Sequence, residues 1–389
     1  MYEGKLVFAQ VMDHLPMHTF RRCVARFKGD HSVKRFTCQD QLRCMAFAQL
    51  TFRESLRDTV ICLQAQSAKL YHMGLRGHVA RSTLAEANEG RDWRLYATFA
   101  QTLIARARKL YAGEPFGAEL EGTAYALDTT NIELCLSLFP WAEFKRTKGA
   151  VRLHTQLDLR GNIPTFIHID DGKSFDSDIL DAIVPEAGAI YVMDRGFVDF
   201  GRLNRLTQAA AFFVVRSKTS VKWRRISSRP VDNSIGIEAD QIIRLAAPKS
   251  RARYPERLRR VSYRDPDTGK RLVFLTNNLA LPARTIADLY KCRWQIELFF
   301  KWIKQNLSIK SFFGTSENAV RTQIWIAVSI YVLIAILKKR LKLDASLSQI
   351  LQTLSVTLFE KMPLDQLLAN MQASDETCED VNQLKLLLD

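Results

Sequence analysis

Residues 123–139 read TAYALDTTNIELCLSLF, and this stretch decides the fold class. Upstream of it apolar residues recur at three- and four-residue spacing; here they fall into short β-branched and aromatic runs, the mark of strands. The same character continues through GAVRLHTQLDLRGNIPTFIHIDDG (149–172), GAIYVMDRGF (188–197) and AAFFVVRSK (210–218), broken by Gly, Pro and Asn. Between these runs, DSDILDAIV (176–184) and FGRLNRL (200–206) read as helical. Strands alternating with helices predict an α/β core with a mixed sheet.

The flanks read differently. Residues 44–71 (CMAFAQLTFRESLRDTVICLQAQSAKLY) and 92–111 (DWRLYATFAQTLIARARKLY) carry the helical period, so 1–120 is predicted to be all-helical. Between them, Thr83 and Glu86 have capping-box spacing after Gly77 and suggest a helix-turn-helix-like element, with Arg76, Arg81 and Arg91 nearby for phosphates. A plain helical bundle fits that segment equally well. Residues 216–282 are rich in Arg and strand-like in places, with a hairpin predicted around Asp267 and Gly269, and they interrupt the α/β pattern as an inserted β subdomain. Residues 283–307, ARTIADLYKCRWQIELFFKWIKQNL, return to helix without Gly or Pro. The apolar run 324–337 is shorter than the roughly 20 residues a bilayer requires and reads as a buried helix. Residues 341–389 are an amphipathic helical tail suited to packing or association.

The chain has 389 residues, 47% of them apolar and 25% charged, which sets disordered, collagen-like and membrane classes aside. Its net charge is +15 and is unevenly spread: +7 over residues 1–120, −4 over 121–215, +10 over 216–282 and +2 over 283–389. An acidic segment between basic ones suggests carboxylates gathered at a site on a surface that holds a phosphate backbone. The seven cysteines form no CxxC pair, so neither a zinc ribbon nor a disulfide framework is readable, and reduced thiols in the cytoplasm are expected. The start of the chain has no basic region followed by an apolar run, so no secretory signal is expected.

Two aspartates close strand-like runs: Asp128 after AYAL, and Asp194 after AIYVM and before Arg195, Gly196 and Phe197. Strand ends are where an α/β sheet presents functional groups, and carboxylates there suit a hard divalent cation. On the helix from 283, Tyr290, Arg293, Glu297 and Lys304 follow at spacings of 3, 4 and 7 and share one face, with Lys301 on the same stripe. The surrounding Trp294, Ile296, Leu298, Phe299, Phe300, Trp302 and Ile303 predict a helix packed on most sides and a buried Glu297, which calls for a cation partner. No His lies beside any of these motifs in sequence.

These residues together resemble the bacterial insertion-sequence transposases of the DDE type, in the insertion sequence four family, which carries a Y-x2-R-x3-E-x6-K signature. Tyr290, Arg293, Glu297 and Lys304 match that spacing, and Leu127 to Thr130 and Met193 to Phe197 resemble the two aspartate motifs. Gly172, Lys173 and Asp176 resemble a further block, with Phe175 at a position where a polar residue is expected; no catalytic role is carried onto Asp176. The resemblance is specific over 121–340. It implies a ribonuclease-H-like catalytic core in two parts, 121–215 and 283–340, interrupted by the inserted β subdomain, with 1–120 as a DNA-end-binding domain. The gaps of 66 residues from Asp128 to Asp194 and 103 from Asp194 to Glu297 agree with that insertion.

The resemblance further implies Asp128, Asp194 and Glu297 as catalytic metal ligands for Mg²⁺, with Mn²⁺ as a substitute. They would cleave DNA at the element ends and join the freed 3′-hydroxyls to target DNA. Tyr290, Arg293, Lys301 and Lys304 would grip the transposon end. Trp223, flanked by Lys222, Arg224 and Arg225, suits stacking on an unpaired base, and Arg81 is a further DNA-binding candidate. The partners are double-stranded DNA with terminal inverted repeats, target DNA and a second copy of the chain in a dimer on DNA, with no membrane; the setting is the bacterial cytoplasm and its nucleoid. A DDE-like nuclease that does not join strands, and an inactive DNA-binding repressor of transposition, are the alternatives.

Overall fold

The computed structural model describes residues 4–117, 120, 122–145, 148–170, 175–306 and 312–369. Gly172 and Lys173, and the end of the tail from 370, lie outside the described residues. Contacts group the chain into two compact units: Met1–Leu103 with Asn306–Gly314 and Asn318–Asp389, and Ile104–Gln305 with Thr315–Glu317.

The first unit is helical, with α1 (Val7–Asp13), α2 (Met17–Arg26), α3 (Cys38–Leu50), α4 (Leu56–Ala65), α5 (Arg81–Gly90) and the first part of α6 (Arg94–Tyr111). The continuous helical pattern of 44–71 is split in two. Arg53 turns back and donates to the Thr51 carbonyl at 2.9 and 2.6 Å, and Ser55 caps α4 by accepting from the Asp58 amide at 3.0 Å. These three local bonds satisfy helix-end groups that a longer helix would have paired internally. The capping box expected at Thr83 is absent: α5 starts two residues earlier at Arg81, its N-cap Ala80 has no side chain to offer, and Thr83 lies within the first turn.

Five pairings, three antiparallel and two parallel, build the centre of the second unit. Strand β1 (Ala124–Leu134) pairs antiparallel with β3 (Lys148–Asp158), which also carries β2 (Glu143–Lys145) and β4 (Ile163–Asp170). On its other side β1 runs parallel to β5 (Ile190–Met193), and β5 parallel to β6 (Phe212–Arg216). Between β5 and β6 lies α7 (Phe200–Gln208), the right place for a parallel crossover. The stretch 176–184, read as helix, forms only a 3-10 turn over Asp176–Asp181.

Residues 216–282 do form the expected strands: β7 (Trp223–Ser228), β8 (Ile237–Leu245), β9 (Leu258–Arg264) and β10 (Arg271–Thr276), with α8 (Pro248–Arg253) after β8. The β9–β10 hairpin turns at Gly269, whose φ of 67° suits glycine. These strands continue the same sheet, because β10 pairs with β6, giving the order β2-β3-β1-β5-β6-β10-β9-β8-β7 with β4 outside β3. Arg259 of β9 is fully buried and is held by a bidentate pair with Asp240 at 2.8 and 2.7 Å, an arrangement that locks β8 to β9 at the centre of this extension.

The helix predicted over 283–307 is two helices, α9 (Ala283–Cys292) and α10 (Trp294–Asn306), meeting at Arg293. There the amides of Arg293 and Ile296 bond three residues back, to Tyr290 and Arg293, so the turn tightens without leaving the helical region. In the first unit, α11 (Glu317–Arg340) is buried at every residue from Thr322 to Leu337. By length and composition it could cross a membrane, but 94% of its apolar window is covered by protein. With α12 (Leu347–Thr357), opened by a Ser346–Gln349 capping box, and α13 (Leu364–Ala369), it belongs to the same unit as the first helices rather than to the sheet or to a separate tail.

Candidate active site

Strands β1 and β5 lie parallel with Leu127 opposite Met193. The next residues, Asp128 and Asp194, therefore stand at neighbouring strand positions, where strands are about 5 Å apart. Helices α9 and α10 supply the rest. Tyr290 donates its hydroxyl hydrogen to Asp194 Oδ1 at 3.0 Å, and Arg293 donates through Nη1 to Asp128 Oδ2 at 2.6 Å and through Nη2 to Glu297 Oε1 at 2.5 Å. The Arg293–Glu297 pair has the four-residue spacing of a helix face, kept intact across the tightened turn. Three acids separated by up to 169 positions are thus joined through one tyrosine and one arginine.

Burial raises the pKa of Asp128 to about 6, against the pull of Arg293 and the Thr129 amide, with the charges of Glu297 and Asp194 adding to the rise. Burial likewise pushes Tyr290 up to about 12, helped by Asp194, so its hydroxyl remains a donor. Burial opposes the charge of Arg293, but Asp128, Tyr290 and Glu297 outweigh it and hold the guanidinium above its ordinary value. The site thus balances carboxylate charge against a fixed cation.

Glu297 is not buried as the apolar composition of its helix suggested: its side chain is 50% exposed. Ile296, Phe299, Phe300, Trp302 and Ile303 form the buried face of α10, while Glu297, Leu298 and Lys301 lie on the open face. Lys304 is half-buried, and burial lowers its pKa against the attraction of Glu133. Trp223, Arg224 and Arg225 lie on β7, all of whose side chains are exposed; the Arg260 guanidinium sits 4.8 Å from the Trp223 ring centroid. In the other unit Arg81 is exposed at the first position of α5. Arg91 is engaged internally by Gln41 at 2.9 Å and by the Phe36 carbonyl, which removes it from the expected phosphate contacts. Asp176 lies against Gly196, where a Cβ would come within 2.6 Å of its carboxylate, so the glycine of the second aspartate motif serves this close approach.

Sequence reading missed the neighbours of Asp128 across the β1–β3 ladder. Thr155, opposite Asp128, is buried and its hydroxyl makes no hydrogen bond among the described residues. His154, opposite Thr129, is 1% exposed, so a histidine does adjoin the first motif in space. The alternation in VRLHTQLDL carried that signal, but only the strand register shows which residues the histidine meets.

Among the described residues no three carboxylates, histidines or cysteines converge as a ready metal cluster; Arg293 reaches both Asp128 and Glu297. The donor set still suits a hard divalent cation: carboxylate oxygens with a buried, unpaired hydroxyl beside them.

Residues 119–333 match the family described as Transposase DDE domain, and residues 3–76 match one described as Domain of unknown function (DUF4372). A protein of Sinorhizobium fredii bearing the name transposase y4zB is 36% identical over 260 residues, 65% of this chain and 70% of that protein. A Geobacillus stearothermophilus protein named as a transposase for insertion sequence element IS5377 is 30% identical over 224 residues, 57% of this chain and 58% of its own length. The Escherichia coli transposase InsG for insertion sequence element IS4 is 21% identical over 197 residues, 47% of this chain and 43% of its own. The chain therefore belongs to the DDE transposases, and within them to the insertion sequence four family.

Proposed function

We propose that this chain cleaves DNA at the ends of an insertion sequence and joins the freed 3′-hydroxyls to target DNA, with Asp128, Asp194 and Glu297 as its catalytic acids. The observation that supports this reading is the linkage of the three acids to Tyr290 and Arg293, which brings three residues of the signature together with the aspartates of the two motifs. The order β4-β3-β1-β5-β6, three antiparallel strands followed by two parallel ones, supports a ribonuclease-H-like core with β7 to β10 as its insertion.

The three carboxylates would hold divalent cations, Mg²⁺ or Mn²⁺, which when bound supply Lewis-acid stabilisation of the attacking and leaving oxygens of an in-line displacement. Tyr290 orients Asp194, and Arg293 orients Asp128 and Glu297 and presents a planar cation to a phosphate. Lys301 and Lys304 add point charges along the same helix. The exposed strand with Trp223, Arg224 and Arg225 stacks on a base and holds backbone phosphates, and Arg81 contacts DNA from the helical segment. The partners are the inverted repeats, target DNA and a second copy of the chain, met in the cytoplasm at the nucleoid.

The test is cleavage of a labelled duplex carrying the inverted repeat that flanks the gene, with Mg²⁺, Mn²⁺ or chelator, for wild type and Glu297→Gln. Metal-dependent nicking that leaves a 3′-hydroxyl at the element boundary, lost in the variant while binding persists, supports the reading. Equal cutting by the variant removes Glu297 from the site. Cutting without joining points to a nuclease, and binding without cutting to a repressor.

A further inference from the structure

Behind Asp128 a line of side chains runs through the sheet. Asp170 Oδ2 at the end of β4 lies 2.9 Å from His154 Nε2 on β3, and His154 Nδ1 lies 2.9 Å from Thr129 Oγ1 on β1. The Thr129 amide then donates to Asp128 Oδ1 at 2.8 Å. A carboxylate only accepts, so Nε2 carries the ring hydrogen towards Asp170; in the neutral ring Nδ1 is then the acceptor and the Thr129 hydroxyl donates to it. The carboxylate fixes the tautomer, the ring fixes the threonine, and the threonine amide fixes one oxygen of Asp128.

Thr129 shares its sheet face with Tyr125 and Leu127, which lie in the core packed against α7, whereas the Asp128 side chain turns to the other face and meets Arg293. Arg293 therefore grips one carboxylate oxygen from that face, and the Thr129 backbone amide, at the end of this line, holds the other. A buried histidine that only filled the core would need its ring nitrogens satisfied but would have no reason to end on the acid.

We infer that His154 is a positioning residue for Asp128, acting through Thr129 with Asp170 as its anchor. The inference rests on Asp128 being one of the catalytic acids. Loss of such an outer partner typically lowers metal affinity or activity about 10- to 100-fold.

Four variants test it: Thr129→Val, which keeps the shape and removes the hydroxyl; Thr129→Ser, which keeps the hydroxyl; His154→Phe; and the double variant Thr129→Val/His154→Phe. Mn²⁺ binding, read from the free-ion electron paramagnetic resonance signal, and duplex cleavage are measured beside thermal midpoints, with Asp128→Asn as reference. Thr129→Val and His154→Phe are each expected to lose about 10-fold or more in Mn²⁺ affinity and in cleavage. Thr129→Ser recovers most of that loss, and the double variant loses no more than either single one, because both break the same line. Wild-type Mn²⁺ affinity in Thr129→Val, or a Thr129→Ser as impaired as the valine, overturns the inference. If His154→Phe does not fold, the Thr129 pair decides alone. Full cleavage by Asp128→Asn defeats the functional reading instead, a separate outcome.

Discussion

The Tyr290 hydroxyl donates to Asp194 Oδ1 over 3.0 Å, and its ring packs 4.7 Å from Phe274. The first residue of the helical signature is thus both a core residue and a partner of the second acid. Tyr290→Phe keeps the ring and removes the bond. Cleavage is expected to fall about 10-fold, while the unfolding free energy changes by about 1 kcal/mol. A variant as active as wild type would show that the hydroxyl does not hold Asp194.

Arg293 is the only described partner that joins Asp128 to Glu297 directly. Arg293→Gln leaves the partly buried Asp128 without its cation, which is expected to cost about 1 to 3 kcal/mol in urea unfolding at neutral pH. Arg293→Lys retains charge but cannot fork to both acids, so it should recover stability more than cleavage. Equal recovery of the two would mean that charge alone, rather than geometry, is required.

Replacing the metal requirement is a further check. Mn²⁺ should raise the thermal midpoint of wild type, because a ligand bound only by the folded state stabilises it. The rise should be absent in Asp128→Asn and reversed by chelator. A midpoint that rises equally in both proteins would place the bound ion elsewhere.

At the far end of β1 the charges behave differently. Asp158 is 6% exposed and burial raises its pKa, although the Arg160 amide and Arg108, 3.2 Å away, both favour its charged form. A carboxylate with a raised folded pKa destabilises the fold once it ionises, so this contribution worsens as pH rises from below 3.8 through the folded pKa. Comparing wild type with Asp158→Asn in urea from pH 3.5 to pH 7, the advantage of wild type over the variant should shrink as pH rises. A growing advantage would mean that Arg108 outweighs burial.

The side chains of β7 are exposed, so they can change binding without touching the core. Arg224→Ala and Arg225→Ala should each shift stability by less than about 0.5 kcal/mol and reduce the slope of log affinity against log salt by about 1. Trp223→Ala should weaken binding to a duplex with an unpaired end base more than to a blunt one. Unchanged binding in all three would take this strand out of the DNA interface.

The sequence by itself determined much of the local chemistry: an Asp directly after β5, the spacing Tyr290, Arg293, Glu297 and Lys304, the buried run 324–337, and the hairpin around Gly269. Each depends on period, turn residues or short-range spacing, which neighbouring residues carry. Tertiary structure decided the rest. Asp128, read as closing a strand, stands inside β1 instead, because pairing with β3 carries that strand on to Leu134. The strands of 216–282 join the main sheet because β10 finds β6 as its partner, an edge pairing that no local pattern encodes. The helices after 317 join the first unit because an all-round apolar helix needs cover on every side, and composition does not say which helices give it. Glu297 is open rather than buried because the packed face of α10 lies elsewhere. His154 and Thr155 adjoin Asp128 only through the β1–β3 register, and a shift of one residue would turn both to opposite faces of the sheet.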